Sequence, residues 1–249
     1  MAKADHEASL PSMAGLGIIA ALPGEARALA RLRPRGQARL AGGGRLRLSG
    51  MGAERAAVAA EQLADEGATA LMSWGTTAAL APGIDPGAIV LPAEIIAANG
   101  GRWIADRRWR ESLAGRLAPR HAVHEGALIE SLDVVSDAAA KRRLYDASGA
   151  IACDMESAAI ATVAARRGLR FVALRAVIDD ATMALPPVAL AAMDADGHLQ
   201  VRALLAAMTG RPPAVHAQLR SLKQLAVAFR AARASLGDAA SVVLSGASS

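Results

Sequence analysis

Three carboxylates stand just past apolar runs of the chain. Glu25 follows the run at 16–22 and the turn Pro23-Gly24. Glu156 follows Ile151-Ala152-Cys153, and Asp179 closes the run at 170–178. An acid held beside a bound molecule can give a proton to a leaving group, take one from water, or accept hydrogen bonds from hydroxyls. Each acid also fits a plain structural role. Glu25 also reads as a solvated acid at a helix start. Glu156 reads as a first-turn acid, favoured by the helix dipole by ~0.3–1 kcal/mol. Asp179 reads as an N-terminal cap, and its neighbour Asp180 can exchange roles with it.

The elements that must carry these acids follow from hydropathy patterning. Residues 16–22, 70–74, 88–96, 127–135, 151–154 and 170–178 read as strands, with Pro92 limiting the third. Residues 45–49 alternate polar and apolar, as a more exposed strand does. Helices are expected at 53–66, 106–117, 137–147 and 156–167, with Gly67 and Gly168 as stops. The alternation implies an α/β single domain: a mostly parallel mixed sheet flanked by helices, with a helical C-terminal extension. The expected boundaries are a flexible N-terminus at 1–15, a core at 16–185, the extension at 186–236 and a flexible tail at 237–249. In such sheets ligands sit beyond the carboxyl ends of strands. That selects 23–25, 75–79, 134–136, 154–156 and 179–180.

Composition excludes several classes. The 249 residues are 53% hydrophobic and 2% aromatic, with a net charge of +5. This is enough for a large core and too few rings for a base-stacking nucleic-acid platform. Cys153 is the one cysteine, so there is no intramolecular disulfide and no cysteine-cluster metal site. It reads as a core thiol. The five histidines have no ligand spacing, and no metal or organic cofactor is expected. Gly42-Gly43-Gly44 precedes a strand and is a turn, not a dinucleotide fingerprint. Asp194-Ala195-Asp196-Gly197 is a tight turn without the distal Glu of a calcium loop. With no secretory pattern and no apolar run of ~18 residues, the expected location is the cytoplasm.

Four segments resemble the purine and uridine phosphorylase and nucleosidase superfamily. Cys153–Ala161 (CDMESAAIA) is similar to its Met-Glu-x-Ala-Ala signature. Gly17–Glu25 (GIIAALPGE), Ser49–Gly52 (SGMG) and Arg175–Ala181 (RAVIDDA) match in order, the first resembling methylthioadenosine/S-adenosylhomocysteine nucleosidases. The resemblance spans about 16–181 and implies cleavage of an N-glycosidic bond. It places Asp179 as leaving-group acid, Glu156 on the ribose hydroxyls, Met155 against the sugar, and Glu25 as the base that activates water. It puts Gly75 and Thr76 in the sugar and nucleophile loop and Val135 at the base.

Departures from the family shape the expectation. Gly75-Thr76-Thr77-Ala78-Ala79 has alanine where the family has glycine, reducing backbone freedom. Ile178 replaces a serine, and 131–135 lacks the family's Phe, which implies a wider, more aliphatic site. Gly24, Arg27 and Thr76 resemble a phosphate-binding set, with Arg27 one residue out of register. Water and phosphate both remain open as nucleophile, with phosphate then a co-substrate.

The pattern at 184–198, a further helix, Arg211-Pro212-Pro213 and a long basic helix resemble the hopanoid-associated branch of the superfamily. That implies a small nucleoside partner that is lipid-linked: adenosylhopane, giving ribosylhopane or its phosphate. The alternatives are a methylthioadenosine/S-adenosylhomocysteine-type nucleosidase and a non-catalytic nucleoside or lipid-headgroup binder. No nucleic-acid partner is expected. A homo-oligomer, with a dimer favoured, is. In the helix at about 214–236, Val215, Leu219, Leu222, Ala226 and Phe229 form an apolar stripe. Arg220, Lys223, Arg230 and Arg233 lie beside or opposite it. The helix can pack on the sheet with a solvated basic face, or bring the protein reversibly to the inner face of the membrane.

Overall fold

The computed structural model describes residues 10–34, 36–185 and 212–245. The elements in chain order are β1 (Leu16–Ala20), α1 (Pro23–Ala26), β2 (Gln37–Arg39), β3 (Arg45–Leu48), α2 (Ala53–Asp65) and β4 (Ala70–Ala79). Next come β5 (Ile89–Val90), β6 (Glu94–Ile96), β7 (Arg102–Ile104), α3 (Arg107–Leu117), β8 (Val123–His124) and β9 (Ala127–Glu130). The rest are α4 (Ala138–Ser148), β10 (Ala152–Asp154), α5 (Ser157–Arg167), β11 (Arg170–Asp179) and α6 (Pro212–Ser245).

The strands form one mixed sheet in the order β2-β3-β1-β4-β10-β9-β6-β7, with β11 on β4 and β5 and β8 beyond it. β1 pairs in parallel with β3 and β4, β11 with β4, β9 with β10 and β6, and β5 with β8. β4 is the spine. Its first half pairs with β1, its end pairs antiparallel with β10, and β11 runs along its length.

Period-two alternation divides the central strands between two cores. Ala70, Met72 and Trp74 of β4, with Val172 and Leu174 of β11, face α3 and α6 through Trp109, Leu113, Leu236 and Val243. Leu71, Phe171 and Ala173 face α2 and α5 through Ala56, Leu63, Ile160 and Val163. Helix ends follow local chemistry. Asp137 caps α4 by accepting from the Ala140 N–H at 2.8 Å, and Gly168 ends α5 in the left-handed region.

Several expected boundaries are corrected. The segment 75–79 is not a loop: β4 continues to Ala79, so Ala78 and Ala79 lie in strand backbone, where alanine needs no glycine-like freedom. The strand expected at 88–96 is two short strands separated around Pro92, which has no N–H for a ladder. That at 127–135 ends at Glu130. The expected flexible N-terminus is packed from Met13, which is buried in a 3-10 turn. Residues 1–9 and 186–211, with the turns and the branch pattern expected there, lie outside the described residues.

The tail expected from 237 is helical through Ser245, with Ala239, Ala240 and Val243 buried. It is anchored by the Ser235 hydroxyl on the Gly87 carbonyl at 2.6 Å and by His121 facing Asp238 at 3.4 Å. No helix among the described residues is long and apolar enough to cross a membrane.

Candidate active site

Beyond the carboxyl ends of β1, β10 and β11, and against Thr76–Ala78 near the end of β4, lies a cavity of about 400 Å³. Glu25, Glu156, Asp179, Met155, Thr76 and Val135 all line it. The structure thus gathers these six expected residues. It does not gather the phosphate set: Gly24 and Arg27 are off the cavity wall, and Arg27 is exposed.

Glu25 sits in the single turn of α1. Its Oε2 accepts from the Leu22 N–H at 3.0 Å, closing the helix start. Its Oε1 accepts from both the N–H and the hydroxyl of Thr76, each at 2.8 Å. The acid therefore has a capping role, but it is buried rather than solvated. Burial pushes its carboxyl above the usual range, against the pull of Arg175 and the Thr76 bonds. Gly75 is next to Thr76 for a steric reason. A Cβ there would lie 2.6 Å from an Arg175 nitrogen and 2.7 Å from Glu25 Oε1.

Glu156 precedes α5 but does not cap it. Asp154 takes that work, accepting from the Ser157 N–H at 3.1 Å. Glu156 Oε1 instead accepts from the Gly52 N–H at 2.8 Å, in a turn where Gly50 and Gly52 have φ of 81° and 99°. Both values lie in the region that favours glycine. Burial first, and then the Asp154 charge, push the Glu156 carboxyl up to about 7, with Arg175 and the Gly52 N–H opposing.

Asp179 and Asp180 divide the roles that sequence left exchangeable. Asp180 organises the turn, accepting from the Thr182 N–H at 2.7 Å and the Met183 N–H at 2.9 Å. Asp179 is buried, faces the cavity and is paired with Lys141. Burial raises its carboxyl, while Lys141 pulls it down.

Sequence reasoning missed three features. The first is Arg175, fully buried beneath the acids. It pairs with Asp154 at 2.6 Å and donates to the hydroxyls of Ser73 at 2.5 Å and Ser157 at 2.9 Å. An arginine amid the apolar interior of β11, between Phe171 and Ile178, was the available signal, because a buried charge requires partners. The second is Lys141, which no pattern marked. The third is the cavity wall. Leu222, Leu225, Ala226 and Phe229 of α6 line it, with Leu185, Val134 and Met51. Thus one face of α6 packs on the sheet in its later half and borders the cavity earlier. The side chains of Val215 and Leu219 lie outside the described residues. Cys153, also in the lining, is a buried thiol pushed up to about 12 by burial and the neighbouring acids.

A mixed sheet with acids gathered past its strand ends fits an enzyme of the nucleoside phosphorylase and nucleosidase class. The chain belongs to the phosphorylase superfamily, whose family model matches residues 16–209. No curated protein matches it in sequence. Among solved structures it is similar to the 5′-methylthioadenosine/S-adenosylhomocysteine nucleosidase of Neisseria meningitidis in complex with methylthio-immucillin-A. The TM-score is 0.67 at 20% identity, covering 92% of this chain and 98% of that one. The S. pneumoniae 5′-methylthioadenosine/S-adenosylhomocysteine nucleosidase gives a TM-score of 0.58 at 21% identity, covering 87% and 98%. The futalosine hydrolase of Helicobacter pylori gives 0.61 at 15%, covering 85% and 96%.

Proposed function

We propose that the protein hydrolyses the N-glycosidic bond of a purine nucleoside with a large apolar 5′ substituent, adenosylhopane being the substrate that the C-terminal resemblance indicates. The observation that carries this reading is one cavity with Glu25, Glu156 and Asp179 on its floor beside Asp154, and an aliphatic wall above them. As the C1′–N9 bond lengthens, positive charge builds on the ribose and negative charge on the base. Asp179 gives its proton to a ring nitrogen, so that the base leaves neutral. Glu156, ionised, holds the ribose hydroxyls and favours the oxocarbenium-like state, with Met155 against the sugar. Glu25 takes a proton from the water that bonds C1′.

Water is favoured over phosphate by Glu25 itself. Its carboxylate already occupies the Thr76 N–H and hydroxyl, and a second anion there would be repelled. The test is adenine release, followed by chromatography, from adenosylhopane, methylthioadenosine and adenosine, with and without phosphate. The expected result is release without phosphate, fastest with adenosylhopane. Equal or better turnover of methylthioadenosine supports the soluble-nucleoside alternative. Binding without release supports the non-catalytic one.

Surface chemistry supports access from a membrane. Val134 and Phe229 line the cavity and are also exposed, and Leu132 and Val227 are exposed apolar residues. Arg220, Lys223, Arg230 and Arg233 are exposed along α6. Basic residues near anionic lipid contribute ~1 kcal/mol each. The protein should therefore sediment with anionic liposomes at low salt and be released at high salt. No sedimentation at low salt removes this part of the proposal.

A further inference from the structure

Helix α4 buries a lysine where an amphipathic helix ordinarily buries an apolar residue. Lys141 is fully buried and is the buried residue of that helix. It stands behind Asp179, off the cavity wall. Its ammonium donates to the Asp179 carboxylate, to the Asp180 carbonyl at 2.5 Å and to the Met183 carbonyl at 2.9 Å. An ammonium has three protons to donate, and here each has an acceptor. One side chain thus ties the turn after β11 to α4 and places a positive charge against the acid.

We propose that Lys141 is a positioning residue for departure of the base: it fixes Asp179 on the cavity floor and stabilises the carboxylate left when the proton passes to the base. This rests on the function proposed above. In that step the C1′–N9 electron pair goes to the base and the Asp179 proton to a ring nitrogen. The oxygen of water bonds C1′, and its proton goes to Glu25. Asp179 ends as a buried anion, and Lys141 is the cation in contact with it. The same charge draws Asp179 toward ionisation before the reaction, so burial and Lys141 act in opposite directions on the acid.

The other titratable groups around Asp179 do not replace that cation. Asp180 is next in the chain, and against burial the bonds from Thr182 and Met183 draw its carboxyl below the ordinary range. Cys153 of β10 stays a thiol. Asp154 of β10 is tied to Arg175, and Glu156 is tied to Gly52.

The experiment compares wild type with Lys141→Met and Lys141→Gln, the latter keeping amide donors for the two carbonyls should the former fail to fold. Purine nucleoside cleavage is measured against pH, beside cleavage of p-nitrophenyl riboside, whose leaving group departs without a proton. Removing the cation should move the alkaline limb for the purine substrate up by about 1–3 pH units, as loss of an opposite charge does. The fall in kcat should be at least about ten times larger for the purine than for p-nitrophenyl riboside, within the ~10²–10⁴ contribution of a general acid. An unmoved limb, or equal losses on both substrates, would overturn the role of Lys141. Asp179→Asn separates the two readings. Wild-type purine cleavage in that variant sinks the proposed function, whereas its loss beside a wild-type-like Lys141→Gln sinks only the lysine.

Discussion

The floor and the wall of the cavity are built by different physics. On the floor, Glu25, Asp154, Glu156 and Asp179 are buried and fixed by backbone N–H groups, hydroxyls, Arg175 and Lys141. On the wall, Leu222, Leu225, Ala226 and Phe229 come from one helix face, with Leu185, Val134 and Met51 beside them. A polar floor tolerates little change, because removing one member leaves its partner buried and unpaired. An aliphatic wall tolerates exchange of size and shape. Under the proposed function, the floor sets the reaction and the wall selects the substituent that accompanies the nucleoside.

The largest effects are expected on the floor. Asp179→Asn should lower kcat by ~10²–10⁴, the contribution of a general acid. It should also lower Tm, because Lys141 loses its counter-charge. Asp180→Asn should loosen the 180–183 turn and spare most of the turnover. The reverse ranking in steady-state kinetics would put the acid one residue later. Glu25→Ala should remove hydrolysis to a similar degree, as loss of a general base does. Recovery with added phosphate in that variant would mean that Glu25 is what excludes the anion.

The wall should give smaller and more selective effects. Truncating Phe229 or Leu225 to Ala removes ~1.5–3 kcal/mol of apolar contact if the substituent buries it fully, roughly 10–100-fold in KM. The increase should be confined to nucleosides with a large apolar 5′ group, leaving adenosine kinetics near wild type. Equal losses on adenosine would make the helix part of the nucleoside site and erase the division between floor and wall.

Legibility in sequence follows the same division. Alternating apolar and polar segments exposed the α/β order, and the strand-end rule picked the segments that supply Glu25, Glu156 and Asp179. What stayed hidden depends on contacts between residues far apart in the chain. Lys141 lies 38 residues before its partner Asp179, in a run of three basic residues that reads as a solvated face. The apolar stripe of α6 was visible, but period alone cannot tell a helix face packed on a sheet from one lining a cavity. The continuation of β4 through Gly75 to Ala79 depends on pairing with β10 and β11. Glycine signals breaks more often than close approach, and here the reason for it is the closeness of Arg175 and Glu25.

The smallest expected effect tests whether the floor sacrifices stability for chemistry. Glu156 has a carboxyl pushed from the ordinary 4.5 to about 7 in the folded protein. The folded state therefore holds this proton more tightly than the unfolded chain does. Its stabilising contribution is complete below about pH 4.5 and is lost as pH rises through about 7. Under the proposed function, ribose binding requires the ionised form, so activity should rise across the same interval. Glu156→Gln keeps an oxygen for the Gly52 N–H but carries no charge. Its Tm should match wild type near pH 4 and exceed it at pH 8 by on the order of a few degrees, since the interval corresponds to at most about 3–4 kcal/mol. Its activity should fall much more on ribosides than on 2′-deoxyribosides if the 2′-hydroxyl is the partner. Calorimetric scans at the two pH values decide the stability half. A variant no more stable than wild type at pH 8 would mean that Arg175 compensates the Glu156 charge fully, and that this acid is held without cost to the fold.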